Sequence, residues 1–200
     1  MALPGDLVAY AMIRTLINAF HASATFIAWT LMLISGSSVE EALFEEAAAV
    51  GPEFDFRNFG SASKLRTALT ESLRLYRPAW MQGRHVRTNH IVSEMNIPQG
   101  SAVMVCAYSL HRNAKYWNRP GEFLPERFNE RSTYDARCYL PFGGGHHLPR
   151  IWTVNSNFQL ILAYMIWRFR FTVHGIACKP RGLIGLRLHP GLWLKLRPRQ

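Results

Sequence analysis

The sequence predicts a mainly α-helical fold with a small β-sheet, and three patterns carry that prediction. Residues Thr15–Ser35 form a long apolar run without a single Asp, Glu, Lys or Arg. Apolar side chains recur at helical spacing in two later stretches: Leu65, Leu69 and Leu73 ahead of Pro78, and Ile161, Leu162, Met165, Ile166 and Phe169 within Trp152–Phe171. Two-residue alternation instead marks Arg84–Arg87 and the tail Leu186–Arg197. At 200 residues the chain suits one domain with a single core.

The first element is a helix over residues 12–36. Arg14, Asn18, His21 and Thr25 fall on one side of it, a polar stripe on an otherwise apolar cylinder. The apolar run is also long enough for a bilayer, so a membrane segment over residues 15–35 is the alternative to a buried core helix. Val39–Val50 is rich in Glu and Ala and stops at Gly51-Pro52, which predicts a second helix. A third is expected over residues 61–77, with Ser61 or Ser63 as its cap and Pro78 as its stop. On that helix Glu71 and Arg74, three residues apart, share a face and can pair. Residues 83–108 switch to short strands, with Ile97-Pro98-Gln99-Gly100 turning into the apolar run Ala102–Ala107. A long irregular stretch over 112–150 then precedes a helix over 151–171. The tail alternates on both sides of Pro190-Gly191, which predicts a β-hairpin over 183–198 with one apolar face.

The net charge of +10 comes from 23 Lys and Arg against 13 Asp and Glu. Such a balance suits nucleic acid, an anionic membrane or an acidic protein. The basic residues, however, are scattered (Arg66, Arg74, Arg77, Arg84, Arg87) and no nucleic-acid motif accompanies them, which sets nucleic acid aside. Cys106, Cys138 and Cys178 are three in number and lack metal-ligand spacing, against both a disulfide framework and a zinc site. Reduced cysteines and a start without a basic signal region predict a cytoplasmic location. Gly143-Gly144-Gly145 is not followed by Gly-Lys-Ser/Thr and so makes no phosphate loop. Adjacent His146 and His147 on a tight turn point apart, and His85, His90 and His111 add no ligand spacing, so no metal site is expected.

Most of the functional information sits in Pro141-Phe142-Gly143-Gly144-Gly145-His146-His147-Leu148-Pro149-Arg150. It follows, in order, Glu71-Ser72-Leu73-Arg74, Arg112-Asn113-Ala114-Lys115-Tyr116-Trp117 and Phe123-Leu124-Pro125-Glu126-Arg127-Phe128. This succession resembles the cytochromes P450, haem-thiolate monooxygenases whose loop reads Phe-x-x-Gly-x-Arg/His-x-Cys. Phe142, Gly145 and His147 match that loop, but Pro149 falls where the cysteine is expected. Matching from the following helix places the gap between Leu148 and Pro149, which suggests a deletion rather than an exchange. The resemblance implies that Glu71, Arg74 and Arg127 form a buried structural ion network behind the loop. It also implies that Phe142, Gly145, His147 and Arg84 (Arg87 second) lie on the haem side, with His147 and Arg84 meeting propionates. An Arg suits that role because its planar fork matches a carboxylate. His146 or His147 is the remote substitute for the missing axial ligand, although imidazole does not push electron density onto iron as a thiolate does.

In the same family the central helix carries Ala-Gly-x-Asp/Glu-Thr, which aligns with Ala19-Phe20-His21-Ala22-Ser23. Ala22 replaces the acid, Phe20 is expected to crowd the oxygen site, and Ser23 alone keeps a hydroxyl for proton relay, the one catalytic candidate. The resemblance runs from about Ile13 to the C-terminus. It implies the C-terminal half of the fold: residues 12–36 as central helix, 112–150 as meander and haem loop. The implied reaction inserts one atom of dioxygen into a small organic substrate. Haem is the implied cofactor, and electrons come from a reductase or acidic electron-transfer protein. Without sulfur and acid the chain is expected to be catalytically impaired. The alternative is a haem-free helper that stabilises a partner enzyme.

Overall fold

The computed structural model describes residues 5–50, 63–129, 134–143, 151–174, 178–183 and 185–199. Helix α1 spans Gly5–Ile34, starting earlier than the apolar run suggested. Its C-terminal half buries Phe26, Trp29, Thr30, Leu31 and Ile34, whereas Tyr10, Ile13, Leu16, Ile17 and Phe20 stand exposed. It ends at Gly36, whose φ of +69° is a left-handed conformation that glycine adopts without a side-chain clash. By length and composition α1 could also cross a membrane, a test that core helices pass as well.

Helix α2 (Glu40–Val50) and helix α3 (Ser63–Tyr76) follow. Leu65, Ala68, Leu69 and Leu73 bury one face of α3, as the spacing predicted. Its capping differs from expectation. Ser63 is the first helical residue and Ser61 lies outside the described residues. The carboxylate of Glu46, on α2, instead accepts the N–H groups of Lys64 (2.9 Å) and Leu65 (2.7 Å). A carboxylate there satisfies two orphan donors and meets the positive end of the helix.

Strands β1 (Met81–His85) and β4 (Ala102–Cys106) pair antiparallel, as do β2 (His90–Val92) and β3 (Met95–Ile97). The short helix α4 (Ala107–Leu110) follows β4 directly. Helix α5 runs Ile151–Arg168, three residues short of the expected end, and passes straight into β5 (Phe169–His174). Phe169-Arg170-Phe171-Thr172-Val173 alternates at period two with aromatic and β-branched residues, and that pattern wins over helix continuation. Leu162, Ala163 and Ile166 of α5 and Phe171 of β5 close the core against α1, α2 and α3.

The tail corrects the sequence reading. Strand β7 (Leu186–His189) pairs with β6 (Lys179–Gly182), and β8 (Trp193–Pro198) pairs with β5. The two halves of the predicted hairpin therefore belong to different ladders. Alternation fixes which face of a strand is buried, but not which strand lies beside it. Leu186 N–H bonds to Pro78 O (2.8 Å), and Phe171 opposite Leu196 sets the other register.

Candidate functional site

A fully buried carboxylate, Glu71, sits at the centre of the site. Arg74, equally buried, grips it with two bonds, Nε to Oε2 at 2.7 Å and Nη2 to Oε1 at 2.8 Å. Arg127 reaches Oε1 with Nε at 3.2 Å, and the Leu124 N–H donates to the same oxygen at 3.0 Å. Helix α3 thus holds the turn Pro125–Phe128 through one side chain. Arg74 spends its remaining donors on the carbonyls of His111 (2.6 Å), Pro120 (2.8 Å) and Glu122 (3.0 Å), and its guanidinium lies 5.1 Å from the Trp117 ring centre. Buried charges are tolerable only when paired and fully hydrogen-bonded, and here the carboxylate meets both demands. Glu71, Arg74 and Arg127, picked out in the sequence, are in direct contact.

The same helix end holds the approach to the glycine loop. Tyr139 Oη donates to Thr70 O (2.9 Å), and Arg77 Nη1 donates to Leu140 O (2.7 Å). Leu140 N–H donates to Nε2 of His111 (2.9 Å), whose Nδ1 lies 3.0 Å from Arg74 O. Gln82 of β1 reaches Phe142 O at 3.5 Å. His111 therefore works as a neutral imidazole, donor on one side and acceptor on the other. Burial, with Arg77, Arg74 and Arg112 near, pushes it down to about 4. Burial likewise lowers Arg77 to about 10; its Nε has no partner among the described residues. Beyond the strap Gly143 adopts φ +89°, and a side chain there would run into the Gln82 amide.

Neither His111 nor Arg77 stood out in the sequence as part of the site. Arg77, grouped there with scattered basic residues, is buried like Arg74. The one available signal was position: Arg77 sits between the end of α3 and Pro78, where a chain leaving a buried helix is still inside.

The other predicted residues are dispersed. Arg84 is exposed on β1, with Nη1 3.1 Å from Gly83 O. Phe142 is half-buried and packs on the core. Gly145, His146, His147 and Pro149 lie outside the described residues. Ser23 is half-buried on α1, and Phe20 is 79% exposed. The face that carries Ile17 and His21 lies beside Phe20 around the helix. That face lines a cavity of about 300 Å3, walled by Ile17, Ala22, Pro78 and Ala79, with His21 and Arg187 as polar groups.

A family model described as Cytochrome P450 matches residues 5–151. The chain belongs to the cytochrome P450 family. Among curated relatives, Cytochrome P450 3A15 of Cavia porcellus is 28% identical over 145 residues, covering 70% of this chain and 29% of the relative. Protein LUTEIN DEFICIENT 5, chloroplastic, of Arabidopsis thaliana is 30% identical over 197 residues (92% of this chain, 33% of the relative). Cytokinin hydroxylase of Arabidopsis thaliana is 29% identical over 171 residues (80% and 32%). The chain thus spans about a third of the length of these relatives.

P450 membership implies haem, so the donor set matters. Cys106 lies 3.2 Å from Ser109 Oγ, Cys138 is buried in the turn Ala136–Cys138, and Cys178 Sγ donates to Gly191 O at 2.8 Å. Residues 139–177 contain no cysteine at all. Among the described residues no three His, Cys, Asp or Glu gather as a metal site. The chain is a P450 by family, but its sequence offers no sulfur in this region to ligate haem iron.

Proposed function

We propose that this chain provides the loop-supporting scaffold of a cytochrome P450 monooxygenase and that, lacking the loop cysteine, it is impaired in that chemistry. The observation that carries the reading is the fully buried Glu71 gripped by Arg74 and Arg127, with the four bonds that strap residues 139–142 beside it. Burying charge costs stability, and the return is a rigid approach to a cofactor loop. In this reading Glu71, Arg74 and Arg127 are structural. Phe142, Gly145, His147 and Arg84 form the haem side, and Ser23 is the remaining hydroxyl for proton relay. Haem, when bound, supplies the activation of dioxygen. The cavity between α1 and Arg187 takes a small organic substrate. The net charge of +10 suits docking of a reductase or acidic electron-transfer protein. The chain works in the cytoplasm, with attachment to a membrane through residues 15–35 as the alternative.

Haemin titration followed by the ferrous–CO spectrum tests the proposal. The expected result is haem uptake without the thiolate Soret band, and gain of that band when a cysteine is inserted between Leu148 and Pro149. A chain that takes up no haem in either form overturns it. The exposed apolar residues of α1, Phe20 foremost, favour a second reading in that event: a haem-free helper that stabilises a partner enzyme.

A further inference from the structure

We propose that the cavity between α1 and β7 takes an apolar molecule bearing one carboxylate, with Arg187 and His21 reading the anion. The inference rests on the proposed role of that cavity as substrate cleft and narrows the substrate class.

Three independent observations point to an anion. First, the backbone that carries the cationic group is fixed in place. Leu186 is buried, its N–H held by Pro78 O at 2.8 Å and its carbonyl by Trp29 Nε1 at 3.3 Å, so the next residue, Arg187, leaves an anchored backbone at the cavity wall. Its guanidinium forms no ion pair among the described residues, and no acidic residue lines the cavity. Second, Arg187 stands directly opposite Arg181 in the β6–β7 ladder. Opposed residues of an antiparallel pair project from the same face, and like charges there destabilise the strand pair. Arg181 lies outside the cavity lining, so an anion beside Arg187 eases that repulsion from one side. Third, His21 lies on the facing wall, near enough to Gly185 that a side chain there would come within 4.0 Å of Nδ1. Thr25 Oγ1, one turn along, lies 3.5 Å from that same nitrogen and orients the ring.

The remaining walls decide what the anion is attached to. Ile17, Ala22, Pro78 and Ala79 offer nothing to a bare ion, and their surface gains from covering by an apolar body. A volume of about 300 Å3 admits a medium-length hydrocarbon chain. Carboxylate is favoured as the head because one Arg fork meets it with two parallel bonds.

Isothermal titration calorimetry on the full 200-residue chain tests this with decanoate, decan-1-ol and acetate as probes. Decanoate is expected to bind about tenfold tighter than decan-1-ol, and acetate not measurably. Arg187→Gln removes the difference while leaving decan-1-ol unchanged, and Arg187→Lys keeps part of it. Equal affinity for decanoate and decan-1-ol overturns the proposal, as does an Arg187→Gln variant that still prefers decanoate. Acetate binding as tightly as decanoate overturns it too, since surface charge alone would then suffice. The measurement needs no haem. A chain that rejects haem yet prefers decanoate refutes the monooxygenase scaffold and keeps the anion cleft. Haem uptake without that preference does the reverse.

Discussion

At Glu71, one carboxylate neutralises two guanidinium groups in a place without solvent, so its removal leaves charges rather than a hole. Glu71→Gln keeps the shape but turns an N–H donor toward donors on Arg74 or Arg127. Breaking a buried pair from one side costs about 3–5 kcal/mol, and urea unfolding monitored by circular dichroism should show a loss of that size. Arg127→Ala is expected to cost less, about 1–2 kcal/mol, because that side chain is 12% exposed while Glu71 still has Arg74. Equal losses for the two variants would mean that the network is not centred on Glu71. The pairing of Glu71 with Arg74 was legible, since three-residue spacing puts both on one helix face. The contacts from Arg77 and His111 to Leu140 were not. They join residues 63 and 29 positions apart, and no local periodicity carries such a distance.

Among the elements, helices were legible because burial writes a 3.6-residue pattern into α1 and α3. Two features escaped. The partners of β7 and β8 follow from which ladder edge is open, a property of the assembled fold. The cap of α3 comes from Glu46, on a different helix, so no sequence neighbour of Ser63 announces it. That cap makes a prediction at the same scale. Glu46→Ala strips partners from two N–H groups and should lower stability by about 1 kcal/mol, read as a drop in Tm. Glu46→Gln, which keeps the acceptor oxygen, should recover part of the loss. A Tm unchanged in Glu46→Ala would show that solvent serves α3 equally well.

For the molecule as a whole, charge is stacked on one sign where protection from water is greatest. Arg74 and Arg77 are buried, Arg112 lies over the rings of Tyr76 (4.9 Å) and Tyr108 (3.7 Å), and Glu71 is the one carboxylate among the fully buried described residues. Adding another positive charge there works against the fold, and His111 is the group that titrates. Its value falls from 6.5 to about 4 on folding because burial and the neighbouring guanidinium groups disfavour the imidazolium. The unfolded chain therefore binds the proton more readily than the folded one. Stability from the neutral ring is complete above pH 6.5 and drains away as pH falls toward 4, by at most about 1.4 kcal/mol per pH unit. Protonation also gives Nε2 a hydrogen that faces the Leu140 N–H, so loss of the strap accompanies loss of stability. His111→Gln, which can still accept from Leu140 but does not titrate, should be less stable at pH 7 and show a flatter decline between pH 6.5 and 4. Urea midpoints measured across that window in both proteins decide it. Parallel curves would assign the acid sensitivity to the carboxylates and remove His111 from the account.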